Sequence, residues 1–407
     1  MFPLPNPPHT HFVRGEGKLT GESLFSQRTS WSLTENALTT TVKTFKAAGH
    51  DVIDLTVSNP TQCGFRYSKK FLSVFSNPQN LVYEPSPRGL LKARETICDY
   101  YRRQGFSLSP EQIFLTASTS EGYNYLFRLL ANPGDNFLFP NPSYPLFSFL
   151  GDLNDVVLNC YPLAYNHSWA VALDLLKNRV DSKTKGIVLV NPNNPTGSFV
   201  KERERHFLND LCRERKIALI SDEVFWDFAW DDKTSRVSLV NNREALTFTL
   251  GGLSKTLALP QMKLSWIIVN GPQDLVKEAA GRLEVIADTY LSVNTPAQQA
   301  LAAWMSLREE IQEHIKKRLQ QNLLILKKYG CEILDAQGGW YAIMKLPSTR
   351  SEDEWLLEFL NKDRVLVHPG YFFDFEEGCH MILSLLTPSR AFEEGIQRVV
   401  KRIQSLR

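Results

Sequence analysis

The sequence predicts an α/β protein: a mostly parallel sheet with helices on both faces, joined to a smaller α+β domain built from both chain ends. Three observations carry that expectation. The runs 187–190, 217–220 and 246–250 are short and mostly apolar, as strands buried on both faces of a parallel sheet must be. The charged segment 201–216 lies between two of them and reads as a connecting helix. Beyond about residue 330 the pattern changes, with strands near 332–334, 342–346 and 381–385 mixed with helices over 352–361 and 391–404. A chain of 407 residues has room for two domains. The expected division is an N-terminal arm with part of the small domain at 1–50, the large domain at 51–312 and the small C-terminal domain at 313–407.

In chain order, residues 1–30 read as a flexible arm. Their start, Met1-Phe-Pro-Leu-Pro-Asn-Pro-Pro8, is proline-rich and lacks the apolar centre of a signal peptide. A helix over 34–48 is closed by Gly49, and a strand over 51–57 runs into Ser58-Asn-Pro-Thr61. Tyr83-Glu-Pro-Ser-Pro-Arg-Gly89 is a second ordered loop, followed by a helix over 90–104 that Gly105 stops. Ser109-Pro-Glu111 resembles a helix start but is too short to continue. A strand at 113–116 leads into Ala117-Ser-Thr-Ser-Glu121, which opens a helix ending near 130, and Asn132-Pro-Gly-Asp135 is a turn. Strand and helix then alternate through 136–139, 144–151 and 156–161, with a helix across 173–179. Residues 267–269 read as an added strand. Pro296 begins one long amphipathic helix reaching about 328.

Composition excludes several classes of function. Hydrophobic content of 43%, charged content of 22% and a formal net charge of +2 give no reason to invoke nucleic acid or an anionic membrane. Six cysteines, at 63, 98, 160, 212, 331 and 379, show neither a Cys-x-x-Cys pair nor metal-ligand spacing. They read as reduced thiols of a cytoplasmic protein without a metal site. No apolar run approaches the roughly 20 residues of a spanning helix.

Open α/β sheets bind ligands at the carboxyl ends of their strands, and four candidate groups stand there. Ser118, Thr119 and Ser120 open a helix directly after a strand, where free N–H groups and the positive helix end make a phosphate seat; a plain hydroxyl cap is the bland reading. Asn194, in Asn191-Pro-Asn-Asn-Pro-Thr196, leaves an amide at the end of the 187–190 run. Asp222, with Glu223 beside it, ends the 217–220 run, where an unpaired buried acid would be costly. Lys255, in Thr249-Leu-Gly-Gly-Leu-Ser-Lys-Thr256, follows the 246–250 run on a tight turn. Anion seat, amide, acid and lysine together are what pyridoxal 5'-phosphate demands: a cradle, a ring-oxygen donor, a partner for the pyridine nitrogen and a Schiff-base lysine.

At these residues the chain resembles the class I/II aminotransferases of the fold-type I pyridoxal-phosphate enzymes, from about residue 34 to 403. The motifs are Tyr83-x-Pro-x-x-Gly, Asn194-Pro-Thr-Gly, Ser221-Asp-Glu-Val, Ser254-Lys255, Gly338-Gly-Trp-Tyr341 and Val367-His-Pro-Gly370. The resemblance implies that Lys255 carries the cofactor and relays the proton, Asp222 pairs with the ring nitrogen, and Asn194 donates to the ring oxygen. It also implies that Tyr144 stacks on the ring and that Tyr83 reaches the cofactor phosphate of a neighbouring subunit, hence a homodimer with shared sites. The implied reaction moves an amino group between an amino acid and a 2-oxo acid by a ping-pong route.

Three departures from the family pattern stand out. Phe225 replaces a tyrosine that bonds the ring oxygen, which implies a Schiff base that stays protonated through neutral pH. Lys263 replaces the phosphate arginine and Gly252 replaces a hydroxyl residue three before the lysine, which implies weaker cofactor retention. The substrate-carboxylate arginine would fall near Ile382, where none stands; Arg28, Arg66, Arg88 and Arg390 are the candidates to replace it. Trp31, Phe65 and Trp340 are candidate pocket walls. Two other functions remain open on sequence: β-elimination or another lyase reaction on a β-substituted amino acid, and a cofactor-binding regulatory protein without turnover.

Overall fold

Strand order explains why the strand ends meet. The computed structural model describes residues 24–34, 37–231 and 233–406; of the arm expected over 1–30, residues 1–23 lie outside the described residues, and the remainder holds the short turn Gln27–Thr29. A two-residue strand, β1 (Ile53–Asp54), comes first. The next eight strands share one sheet: β2 (Ile113–Thr116), β3 (Asn136–Asn141), β4 (Val157–Tyr165), β5 (Trp169–Val171), β6 (Thr184–Val190), β7 (Ala218–Asp222), β8 (Thr247–Gly252) and β9 (Ser265–Asn270). Across the sheet they run β2-β9-β8-β7-β6-β3-β4-β5. The neighbours β8, β7, β6, β3 and β4 are parallel. The added strand β9 runs the opposite way between β2 and β8, and β5 folds back antiparallel on β4 at the far edge.

Every residue of β7, β8 and β9 is buried, which accounts for their apolar composition. Alternate residues serve opposite faces. Ile187, Leu189 and Leu219 pack with Leu208 and Leu211 of the helix Glu202–Arg215. Val188, Val190, Ile220 and Leu250 pack with Tyr123, Leu126 and Phe127 of the helix Thr119–Leu130. Helices therefore cover both faces, as expected.

The tail builds β10 (Tyr341–Lys345), β11 (Val365–Leu366), β12 (His368–Pro369) and β13 (His380–Ser384), with a three-stranded sheet in the order β10-β13-β12. The two chain ends meet there. Strand β1 pairs parallel with β11, Ser384 N donates to Leu55 O at 2.8 Å, and Ser384 Oγ donates to Val57 O at 2.7 Å. The tail also touches the large sheet's loops. Gly197 adopts φ +68°, where an added Cβ would lie 2.4 Å from Gly338 O, and Gln337 N donates to Gly197 O at 3.1 Å.

Several elements differ from the sequence expectation. The 51–57 strand shrinks to β1, because only Ile53–Asp54 pairs in register with another strand. Residues 332–334 form one bridge, Ile333 to Met344, rather than a strand. The long helix after Pro296 is two helices, Thr295–Met305 and Arg308–Lys328. Each is anchored separately: Trp304 Nε1 donates to Phe71 O at 2.9 Å, and Gln312 Nε2 donates to Thr256 O at 2.8 Å. The helix Gln273–Tyr290 was not expected; it buries Ala279, Ala280, Leu283 and Ala287. No described helix is long and apolar enough to cross a membrane.

Candidate active site

Register places the site. Val190, Asp222 and Leu250 stand side by side across β6, β7 and β8, so the loops leaving these strands start level with one another. The loop after β6 carries Asn194, β7 ends in Asp222, and β8 passes through Gly252 into a single helical turn, Leu253–Thr256, that carries Lys255.

Three asparagines in the loop after β6 look alike in sequence, and the structure separates them. Asn191 is consumed structurally: its amide donates to Val237 O at 2.8 Å and accepts from Val200 N at 3.0 Å. Asn193 spends its amide N–H groups on Pro142 O and Thr196 Oγ1, both at 3.0 Å, which ties the loop to the segment carrying Tyr144. Asn194 is 8% exposed; its Oδ1, like that of Asn193, has no partner, but Asn194 alone of the three leaves its amide N–H groups uncommitted among the described residues. A buried amide left uncommitted by its own chain suits a bound polar group.

The acidic pair divides in the same way. Glu223 is held by Ser221 Oγ at 2.9 Å, Ser238 Oγ at 2.6 Å and Leu239 N at 2.8 Å, and burial pushes its carboxyl up to about 7. Asp222 faces the site. Its Oδ2 accepts from Tyr123 Oη at 3.1 Å and its Oδ1 from Val224 N at 3.2 Å. Burial pushes Asp222 up to about 6 against these bonds and the charge of Lys255. Tyr123 is a residue that sequence reasoning missed; its only signal was its place one turn inside the helix that the anion seat opens.

Lys255 is half-buried. Its Nζ lies 4.7 Å from the centre of the Trp340 ring and 5.0 Å from that of Phe225, and the two rings meet edge to face at 5.2 Å. Burial pushes the ammonium down to about 8, opposed by Asp222 and by the Cys63 thiol. Burial thus raises the neutral fraction of the amine near physiological pH well above that of an exposed lysine, which a Schiff-base lysine needs.

Ser118 caps the helix Thr119–Leu130 by accepting from Glu121 N at 3.1 Å. Its hydroxyl is committed to the cap, and the first N–H groups of the helix, at Thr119 and Ser120, are left for a ligand. Tyr144 follows β3, half-buried, with its phenol raised by burial. Lys263 is exposed, at the end of the turn Pro260–Met262. Tyr83 is 70% exposed and sits beside Leu81 and Val82, which are also exposed.

The candidate arginines scatter. Arg28 is paired with Asp155, with Nε to Oδ1 at 2.8 Å. Arg88 is held by Glu284 at 2.7 Å and Glu111 at 3.1 Å. Arg66 and Arg390 are exposed. Arg318, which sequence reasoning passed over, is half-buried in the helix Arg308–Lys328. It donates to Cys63 O at 3.2 Å and Leu386 O at 3.0 Å and lies 5.0 Å over the Phe65 ring. Of the expected pocket walls, Trp340 is buried under Lys255, whereas Trp31 donates to Asp152 at 2.7 Å and packs on Phe149.

An uncommitted amide, a buried acid and a lysine of lowered basicity, at the ends of β6, β7 and β8 in turn, suit a phosphorylated pyridine aldehyde, as in the α/β enzymes dependent on pyridoxal phosphate. The particular family follows from comparison. Residues 50–387 match the family described as aminotransferase class I and II, and the chain belongs to it. It is 26% identical to the glutamate-pyruvate aminotransferase AlaA of Haemophilus influenzae over 88% of this chain and 92% of that one. It is 25% identical to the alanine aminotransferase of Mycobacterium tuberculosis, over 89% of this chain and 88% of that one. Among solved structures, the alanine aminotransferase of Pyrococcus furiosus matches with a TM-score of 0.85 at 23% identity, covering 94% of this chain and all of the other. The enzyme transfers an amino group between an amino acid and a 2-oxo acid.

Proposed function

We propose that the reaction runs between a small amino acid and a 2-oxo acid of the alanine–pyruvate and glutamate–2-oxoglutarate type, on the residue set Asn194, Asp222 and Lys255. The observation that carries the residue set is the side-by-side ending of β6, β7 and β8; the substrate class is supported by the names of the relatives. The bound cofactor supplies an electron sink for the bond broken at the substrate's Cα. Asp222 would hold a proton on the ring nitrogen, Asn194 would donate to the ring oxygen and Tyr144 would cover the ring. Thr119 and Ser120 N–H groups, with the charge of Lys263, hold the phosphate. Lys255 would hold the cofactor's aldehyde carbon and, as a neutral amine, would serve as the base that moves the proton leaving Cα.

Arg318 takes the carboxylate role. It lies against the Cys63 loop and the segment after β13, carries no carboxylate partner among the described residues, and presents the remaining guanidinium N–H groups beside Phe65. Tyr83, exposed within an apolar stretch, reaches a second copy of the chain, which makes the enzyme a homodimer. Six free cysteines suit a reducing, cytoplasmic setting. The test is a half-reaction screen over amino acids, followed by loss of the cofactor's aldehyde-form absorbance. Alanine and glutamate are expected to lead, with recoverable 2-oxo acid. Arg318→Ala is expected to raise KM for the amino acid about 10-fold or more. Pyruvate with ammonia from a β-substituted substrate, in place of 2-oxo acid, would reject the transfer reading.

A further inference from the structure

Ser265 opens β9 and stands between two strand ends. It pairs with Thr116, the last residue of β2, on one side and with Gly252, the last residue of β8, on the other. Because β9 runs opposite to both, its beginning lies level with their ends. Alternation puts Ser265 on the face of Ile267 and Val269, which pack with Phe114, Tyr123 and Leu250 under the helix Thr119–Leu130. Trp266 points to the other face, where its Nε1 donates to Tyr101 Oη at 3.1 Å. Gly122 of that helix sits directly over Leu250 and Ile267, which a Cβ there would meet at 3.3 and 3.5 Å. Two residues further along each strand, toward the helix N-terminus, are Gly252 and Ser265. Two strand residues span about 6.6 Å, or about four residues of helix, so both lie below the start of that helix, at Ser118 and Thr119.

The two positions compete for one volume. A Cβ on Gly252 would stand 2.3 Å from Ser265 Oγ, so the serine hydroxyl occupies the place that a side chain at 252 would take. Ser265 is 3% exposed, and no hydrogen bond among the described residues engages its hydroxyl. The hydroxyl is uncommitted within its own chain and is not wholly enclosed, so a ligand at the strand ends can bond it.

We infer that Ser265 supplies the cofactor phosphate with the hydroxyl hydrogen bond that the family pattern places at residue 252, the donor having crossed the ladder from β8 to β9. This rests on the reading that the phosphate sits at Thr119 and Ser120. Gly252 is then a consequence of Ser265 rather than a loss.

The test compares binding of pyridoxal 5'-phosphate and of pyridoxal, which lacks the phosphate, to the cofactor-free protein, together with the phosphorus NMR shift of the bound phosphate. Ser265→Ala is expected to weaken binding of the phosphorylated form about 10-fold or more, leave pyridoxal binding unchanged and move the phosphorus resonance. The exchange variant Gly252→Ser with Ser265→Gly returns the hydroxyl to β8 and is expected to restore both readouts. If Ser265→Ala changes neither, or weakens both ligands equally, the inference is overturned while the phosphate seat stands. If the unaltered protein binds both ligands equally well, the seat itself is overturned, and the inference with it.

Discussion

The lowered basicity of Lys255 has a measurable kinetic consequence. Only a neutral amine attacks the cofactor's aldehyde, and burial pushes Lys255 down to about 8 from an ordinary value of 10.5. At pH 7 about 9% of such a lysine is neutral against about 0.03% of an ordinary one, a gain of about 300-fold in the reactive form. Cofactor-free protein mixed with pyridoxal phosphate in a stopped-flow spectrophotometer is expected to react at a rate rising about tenfold per pH unit up to pH 8 and levelling beyond it. Asp222→Asn removes the carboxylate that holds the ammonium up, so the bend moves to lower pH in that variant. A rate still climbing tenfold per unit between pH 9 and 10 refutes the reasoning, because the amine would then titrate as an exposed lysine does.

The same shift has a stability counterpart. The folded value of Lys255 lies below the unfolded one, so the unfolded chain binds the extra proton between about pH 8 and 10.5, and stability rises with pH across that window. Cofactor-free Lys255→Met lacks this term, and its stability advantage over the parent is expected to shrink by about 3 kcal/mol from pH 7 to 10.5 in urea melts. Asp222→Ala is expected to bind the cofactor yet lower the half-reaction rate by about 100-fold or more, measured by single-turnover absorbance. Phe225→Tyr adds a donor to the ring oxygen, so the visible-absorbance titration of the holoenzyme is expected to move to lower pH; an unchanged titration argues against that contact. Lys263→Ala is expected to lose cofactor faster on dialysis, and retention equal to the parent rejects its phosphate role.

Much of the frame was legible from residue type. The strands β6, β7 and β8 are apolar because they are buried on both faces, and Lys255, Asp222 and Asn194 stood out as polar groups at their mouths. Other elements were not legible, for identifiable reasons. Gln273–Tyr290 buries a stripe made mostly of alanines and exposes Val285 at 69%, so its large apolar residues do not mark the buried face. β5 owes its existence to the antiparallel return on β4, a tertiary contact that a three-residue run cannot announce.

The sequence by itself determined the sheet, the cofactor chemistry and the loops that carry it, since these follow from local polarity and the spacing of a few motifs. Tertiary structure decided which of several similar groups face the ligand. Asn194 keeps its amide N–H groups uncommitted, whereas Asn191 and Asn193 spend theirs on Val237, Pro142 and Thr196. Asp222 faces inward because Glu223 is taken by Ser238 and Leu239. Arg318, proposed for the substrate carboxylate, comes from a helix more than 60 residues downstream of Lys255, and Ser265, proposed for the phosphate, reaches Gly252 only because β9 lies between β2 and β8. Such assignments depend on which partners remain after folding, and that is a property of packing between distant segments.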